Sequence, residues 1–278
     1  MLNFIIILIL LLSIYLVIPI INNKIVFLPL KVNNYNYYLI CNNLKNNYLP
    51  VKISTPDQIE LNGGLLNFNK VPNWNDYIIL YSHGNAGWLG TYMNLDSMKL
   101  LSNFGSIFLY DYRGYGINNG VPTENGLYTD IKSVYKFLVK EKKVNPNKII
   151  VYGYSLGTSI SSKLITHLVQ NKFVLPKALI LEAPFISISE LAKELSVLVL
   201  PLVTINFNNL SNILEINNKI PIYTIHSVED EIIPFKHSEI LKKYSNGNCN
   251  IIKISGNHIS PVFNKKVYEL FENICNKN

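Results

Sequence analysis

The chain has 278 residues, 49% of them hydrophobic and only 15% charged, so it can bury a substantial core and is not a disordered polypeptide. Its 25 Lys and Arg against 18 Asp and Glu give a net charge of +7, too thinly spread for the basic stripe of a nucleic-acid binder, and nucleic acid is excluded as a partner on that ground. Cys41, Cys249 and Cys275 lie far apart with no C-x-x-C pair, which offers neither a disulfide framework nor a metal site.

In chain order, the first feature is the run from Phe4 to Ile21, FIIILILLLSIYLVIPII. At about 1.5 Å of rise per residue, a helix of this length nearly crosses a hydrocarbon core about 30 Å thick. Residues 1–23 are therefore expected to form a single transmembrane anchor, with a domain over residues 24–278 and the membrane as a partner. A cleaved signal peptide is disfavoured because no Lys or Arg precedes the run and no small-residue cleavage site follows it. A core helix is disfavoured because the run has no polar face. Lys24 and Lys31 follow the span, a slender bias toward a cytoplasmic domain that leaves the side of the membrane open.

From residue 50, short β-branched runs alternate with amphipathic stretches, the pattern of crossover units on a mostly parallel, doubly wound α/β sheet. Val51 to Thr55 and Ile59 to Leu66 flank Pro56-Asp57-Gln58 and predict an antiparallel hairpin. Strands follow at Tyr77 to Tyr81, Ser106 to Tyr110, Lys148 to Tyr152, Ala178 to Leu181, Ile220 to Ile225 and Asn250 to Ile254. Helices are predicted at Leu89 to Ser102, Glu124 to Lys140, Leu156 to Gln170, Pro234 to Tyr244 and Pro261 to Cys275, where apolar residues recur at three- and four-residue steps. Asn makes up roughly one residue in seven, so a lone Asn is discounted as a turn signal. Lys132, Lys136, Lys140 and Lys143 form one helical stripe, read as a solvated outer face in preference to a surface for anionic lipid.

Parallel sheets present their chemistry beyond the carboxyl ends of the strands. There, Gly153-Tyr154-Ser155-Leu156-Gly157 is a G-x-S-x-G sequence between a strand and a helix, a sharp turn that exposes the serine hydroxyl as a nucleophile. Such a serine needs a histidine base and an acid to orient it, in chain order Ser, acid, His. His258 follows the last strand and supplies the base. Asp230 is preferred as the acid over its neighbours Glu229 and Glu231, because a shorter carboxylate at a loop tip is the common orienter. His167, His226 and His237 are read as packing, surface or loop-bonding residues. Ser82-His83-Gly84-Asn85-Ala86-Gly87 follows the first parallel strand; the backbone amide of Asn85 or Ala86, with that of Leu156, forms the expected oxyanion hole, and His83 is read as a structural ring beneath the loop. No cofactor or metal is required.

His83-Gly84-Asn85-Ala86-Gly87, Tyr110-Asp111-Tyr112-Arg113-Gly114-Tyr115-Gly116, Pro122 to Asp130, Gly153 to Gly157 and Glu182-Ala183-Pro184-Phe185 together resemble the successive signatures of α/β-hydrolase-domain proteins with an H-G-N-A motif. That group includes single-pass membrane proteins and protein depalmitoylases. The resemblance runs from about residue 25 to the end. It implies an α/β-hydrolase fold and carries the triad onto Ser155, Asp230 and His258 and the oxyanion loop onto Asn85 and Ala86. It also implies that Asp111 and Arg113 form a hydrogen-bonded pair that braces a turn. Tyr154 departs from the Arg, Gln or Glu common at its position, and the Cys-rich amino terminus of the depalmitoylase branch is absent. Residues 185–212 exceed one crossover helix and include Leu195 to Ile205, LSVLVLPLVTI; a small apolar cap over the site and a core helix with its connection are equally compatible readings. The leading expectation is a membrane-anchored serine hydrolase of carboxylic esters or thioesters, acting on a lipid or an acylated protein. The alternatives are peptidase or other chemistry on the same scaffold, or an inactive anchored binding module.

Overall fold

The computed structural model describes residues 26–93, 95–195 and 205–276. The expected anchor over residues 1–23 lies outside the described residues, and among the described residues no helix is long and apolar enough to cross a membrane.

Eleven strands are described: β1 Leu28–Pro29, β2 Tyr48–Ser54, β3 Glu60–Leu66, β4 Ile78–Ser82, β5 Ala86–Gly87, β6 Ser106–Tyr110, β7 Ile149–Tyr154, β8 Ala178–Glu182, β9 Ile222–Ser227, β10 Cys249–Gly256 and β11 Pro261–Val262. The described helices are α1 Asn34–Asn43, α2 Leu89–Met93, α3 Asp96–Leu101, α4 Glu124–Lys136, α5 Leu156–Gln170, α6 Ile188–Leu195, α7 Asn209–Ile216, α8 Lys236–Tyr244 and α9 Lys265–Asn276. The main sheet runs β11-β10-β9-β8-β7-β4-β6-β3-β2, parallel from β10 through β6 and antiparallel at both margins. β1 and β5 form a separate parallel pair.

The central strands are short unbroken apolar runs because both of their faces are covered. Leu80, Phe108, Val151 and Leu181 point into one core, with Ile131 of α4, Leu164 of α5, Ile213 of α7 and Leu241 of α8. Ile79, Ile107, Ile150 and Ile180 alternate into the other, with Leu101 of α3 and Phe271 of α9. The 2-residue period of the strands thus divides the molecule into two packed layers of helices about one sheet.

Several elements differ from the sequence expectation. The single helix expected over 89–102 is two, α2 and α3. The helix expected over 124–140 ends as an α-helix at Lys136 and passes into a π-helical turn, Phe137–Glu141. At the carboxyl end, Gly256 at φ +93° reverses the chain so that Pro261–Val262 pairs antiparallel with Ser255 and Gly256, and the helix begins only at Lys265. α1 had no counterpart in the expected elements; its N-cap is Asn33, whose side chain accepts the Asn36 N–H at 2.8 Å. Lys132, Lys136, Lys140 and Lys143 are all exposed.

The stretch expected as a cap leaves and re-enters the domain at one point. The Ile188 N–H donates to the Phe207 carbonyl at 3.1 Å and the Leu210 N–H to the Ile186 carbonyl at 3.1 Å, so the two arms are hydrogen-bonded at their base. Residues 196–204, most of the apolar run, lie outside the described residues.

Candidate active site

β7 ends at Tyr154 and α5 begins at Leu156, with only Ser155 between them, at φ 52° and ψ −117°. A side chain at positive φ is strained, and the turn is held by packing and by the Ser155 N–H, which donates to the Glu182 carbonyl of β8 at 2.9 Å. Gly157 is required here: a Cβ on it would run into the Ser82 carbonyl of β4, so only glycine lets the helix start this close to the sheet.

Two loops from the carboxyl ends of β9 and β10 meet this turn. His258 Nε2 lies 3.1 Å from Ser155 Oγ, and His258 Nδ1 lies 2.8 Å from Asp230 Oδ2. A carboxylate only accepts, so Nδ1 carries the proton and Nε2 offers its lone pair to the serine hydroxyl. Asp230 is itself buried and positioned, since its Oδ1 accepts the Ile233 N–H at 2.7 Å and the Ile232 N–H at 3.0 Å. Burial pushes its pKa up, but hydrogen bonds from His226 and His258 outweigh that and hold the carboxyl below the usual range, so it stays charged. The structure brings Ser155, Asp230 and His258 together. Glu229 and Glu231 are placed elsewhere: Glu229 accepts the Gly256 N–H at 2.9 Å and Glu231 the His258 N–H at 3.1 Å, so both bind the backbone of the histidine loop and leave the imidazole alone.

The other histidines are structural in their surroundings. His226 donates from Nε2 to the Ile233 carbonyl at 2.9 Å and shapes the Asp230 loop. His237, at the start of α8, accepts the Ile186 N–H at 3.1 Å and ties down the arm before α6. His167 is half-buried on α5, remote from the serine in sequence and in hydrogen bonding, where it contacts Asn171. His83 is buried, its ring tilted against that of Tyr112 with centroids 4.0 Å apart, and burial lowers its pKa to about 3, so it is neutral. The expected Asp111–Arg113 pair is not formed, because each side chain is taken by other partners. Asp111 Oδ1 accepts the Leu89 N–H at 2.6 Å, whereas Arg113 binds Asp130 and Asp57.

Asn85 and Ala86 lie in the loop after β4, and Leu156 heads α5, where the first N–H groups of a helix lack intrahelical acceptors. A developing oxyanion at Ser155 would meet such donors together with the positive end of the helix dipole. Two residues at the site escaped sequence reasoning. Tyr154 donates its hydroxyl hydrogen to the His258 carbonyl at 2.8 Å, and Glu182 lies buried beneath the serine turn, accepting the Tyr152 hydroxyl at 2.7 Å. Tyr154 stood out only as a family departure, and nothing in the linear sequence indicates a bond to a residue 104 positions away.

A family model described as serine aminopeptidase, S33, matches residues 75–219, more than half of the chain and inclusive of Ser155, though not of Asp230 or His258. An uncharacterized protein, R595, of Acanthamoeba polyphaga mimivirus is 30% identical over 206 residues, covering 66% of this chain and 67% of that protein. The lysophosphatidylserine lipase ABHD12 of Macaca fascicularis is 33% identical over 175 residues, covering 57% of this chain and 43% of the lipase, so the match spans less than half of that relative's length. Among solved structures, an alpha-beta hydrolase from Vibrio vulnificus superposes with a TM-score of 0.67 at 18% identity, covering 87% of this chain and 85% of that one, which establishes the α/β-hydrolase fold.

Proposed function

The chain belongs to the serine aminopeptidase, S33, family of hydrolases, and from that premise we propose that it cleaves a lipid carboxylic ester or thioester through an acyl-enzyme on Ser155. It is a serine hydrolase. The observation that carries the finer reading is the unbroken hydrogen-bond chain Ser155–His258–Asp230, built on a strained turn at the head of α5.

In this reading His258 Nε2 takes the Ser155 proton as Oγ attacks the acyl carbonyl. Asp230 keeps the proton on Nδ1 and stabilises the imidazolium that forms. The amides of Leu156 and of Asn85 or Ala86 bind the oxyanion, and His258 then returns the proton to the leaving group. Water activated by the same imidazole releases the acid. No step calls for a metal or an organic cofactor.

Lipid as the substrate class is supported by the relatives named as lysophosphatidylserine lipases, which favour a lipid ester over the acylated protein of a depalmitoylase. The apolar run in residues 1–23 supports a membrane anchor. Its continuation enters the domain at the site: β1 pairs with β5 in the oxyanion loop, and Phe27 packs on Phe207 at the base of the 185–212 excursion, ring centroids 5.9 Å apart. An anchor there would hold the mouth of the site at the membrane, with the excursion as its cap. The family's description favours peptide cleavage as the second reading, since fold and triad do not fix the substrate.

A fluorophosphonate probe should label the full-length protein and fail to label Ser155→Ala. Turnover of lysophospholipid and of aryl esters of graded acyl length, against aminoacyl anilides, then separates ester from peptide cleavage. A folded wild-type chain that neither labels nor hydrolyses any of these would end the proposal.

A further inference from the structure

Four consecutive carbonyls of the segment after β4 each accept a hydrogen bond from a side chain. Tyr112 Oη donates to the His83 carbonyl at 2.7 Å, and His83 Nδ1 to the Gly84 carbonyl at 2.8 Å. Tyr115 Oη donates to the Asn85 carbonyl at 2.7 Å, and Tyr92 Oη to the Ala86 carbonyl at 2.8 Å. The Asn85 carbonyl has a second donor, the Leu28 N–H of β1, at 3.0 Å.

A trans peptide unit points its carbonyl and the following N–H in opposite directions. Fixing the Asn85 carbonyl toward Tyr115 and Leu28 therefore fixes the Ala86 N–H away from them, on the other side of the loop. The same geometry makes His83 aim the Asn85 N–H, while Tyr92 aims the Gly87 N–H. A catalytic donor must be aimed before charge develops, because a loop that reorients during the reaction returns part of the stabilisation it offers. Tyr115 is fully buried, and burial together with Tyr92 raises its pKa, so the phenol keeps the proton that it donates.

We propose that Tyr115, acting with the Leu28 N–H of the amino-terminal strand, is a positioning residue that aims the Ala86 amide at the oxyanion. This rests on the reading of Ser155 as nucleophile and of the Ala86 amide as a donor. The first strand of the domain, which joins the apolar amino-terminal run to the fold, is then part of the catalytic framework, and Tyr115 acts on the rate without touching substrate.

The test is a series of hydroxyl deletions in the full-length protein: Tyr115→Phe, Tyr92→Phe and, as a control, Tyr135→Phe. Tyr135 makes a bond of the same kind, to the Val174 carbonyl at 3.3 Å, far along the chain from the site. Removing one oxyanion donor outright costs on the order of 100- to 1,000-fold in kcat, so a misaimed donor should cost about 10-fold. Tyr115→Phe is expected to lower kcat by about that factor with KM within about twofold, and to weaken a trifluoromethyl ketone, which forms an oxyanion adduct on serine, in parallel. Binding of the fatty-acid product should be unchanged. Tyr92→Phe and Tyr135→Phe should keep kcat within about threefold. The proposal is overturned if Tyr115→Phe keeps wild-type kcat, or if Tyr92→Phe loses as much as Tyr115→Phe, which would indicate general loosening. Should Tyr115→Phe not fold, a Tyr92→Phe loss of about 10-fold would overturn it, and a Leu28 N-to-ester replacement made by ligation, which deletes only the second donor, would carry the same expectation as Tyr115→Phe. Failure of the nucleophile reading is distinct: the wild type itself would not be labelled at Ser155.

Discussion

Tyr154 lies face to face with His258, ring centroids 5.4 Å apart and planes 29° from parallel, while its hydroxyl donates to the His258 carbonyl at 2.8 Å. One side chain thus restrains both the ring and the backbone of His258. Because Tyr154 adjoins Ser155, the clamp also ties His258 to the Ser155 turn. Tyr154→Phe keeps the stacking and loses the hydrogen bond, and about 3-fold in kcat is expected to go; Tyr154→Ala loses both, and a misplaced base costs on the order of 100-fold. Steady-state kinetics with an aryl ester measure this, and a Tyr154→Ala enzyme as fast as wild type would remove Tyr154 from the site.

Glu182 predicts a pH dependence of stability. Its carboxyl is buried, and burial pushes its pKa up to about 7 against the opposing effects of the Tyr152 hydroxyl and His258. In the unfolded chain it titrates near 4.3. Between these values the folded protein holds a proton that the unfolded chain has released, so stability falls as pH rises through the window and levels off above about 7. From pH 5 to pH 8 this one group should cost about 3 kcal/mol. Glu182→Gln retains an acceptor for Tyr152 and does not ionise, so urea unfolding of the variant should lose that much less over the same range. Parallel pH profiles for the two proteins would contradict the assignment.

How far the sequence carried these conclusions depends on how local the cause was. β4, β6, β7 and β8 were legible because burial on both faces demands unbroken apolar runs, and the serine turn because Gly153, Ser155 and Gly157 express one steric requirement within five residues. α1 was missed because Asn33, its cap, is indistinguishable from the many other asparagines of the chain. The β10–β11 reversal depends on the backbone of Gly256, and the carbonyl clamp beneath the oxyanion loop on tyrosines from separate segments; neither has a periodicity to read. The three-way choice among Glu229, Asp230 and Glu231 turned on which carboxylate reaches the imidazole, a matter of loop path alone.

Arg113 separates a buried ion pair from an exposed one on a single guanidinium. Its Nε and Nη2 donate to Asp130 Oδ1 at 2.9 and 2.7 Å, and its backbone N–H to Asp130 Oδ2 at 2.9 Å, while Nη1 reaches Asp57 Oδ2 at 2.6 Å. The Asp130 side chain is 0% exposed and that of Asp57 is 50% exposed. Solvent screens the Asp57 pair, so Asp57→Ala should cost no more than about 1 kcal/mol. Asp130→Ala leaves a largely buried guanidinium without its main partner and should cost about 3–5 kcal/mol. Chemical denaturation of the two variants tests the order, and equal losses would refute it.

The Ser155 turn should be less stable than it needs to be for folding alone. Ser155 occupies φ 52° and ψ −117°, a region that disfavours any residue with a Cβ and costs on the order of 1–3 kcal/mol. Ser155→Ala removes the hydroxyl and keeps the Cβ, so it should abolish turnover with little change in melting temperature. Ser155→Gly removes the Cβ as well. Glycine's extra freedom in the unfolded chain offsets about 0.5–1 kcal/mol of the relieved strain, leaving a net gain of about 1 kcal/mol over Ser155→Ala. For a domain of this size that corresponds to a melting temperature higher by about 2–4 °C. Scanning calorimetry on the two inactive variants makes the comparison free of any catalytic effect. A Ser155→Gly protein that melts at or below Ser155→Ala would mean that the turn carries no strain, and that the serine is held up by the Glu182 carbonyl and the packing of Gly157 without cost.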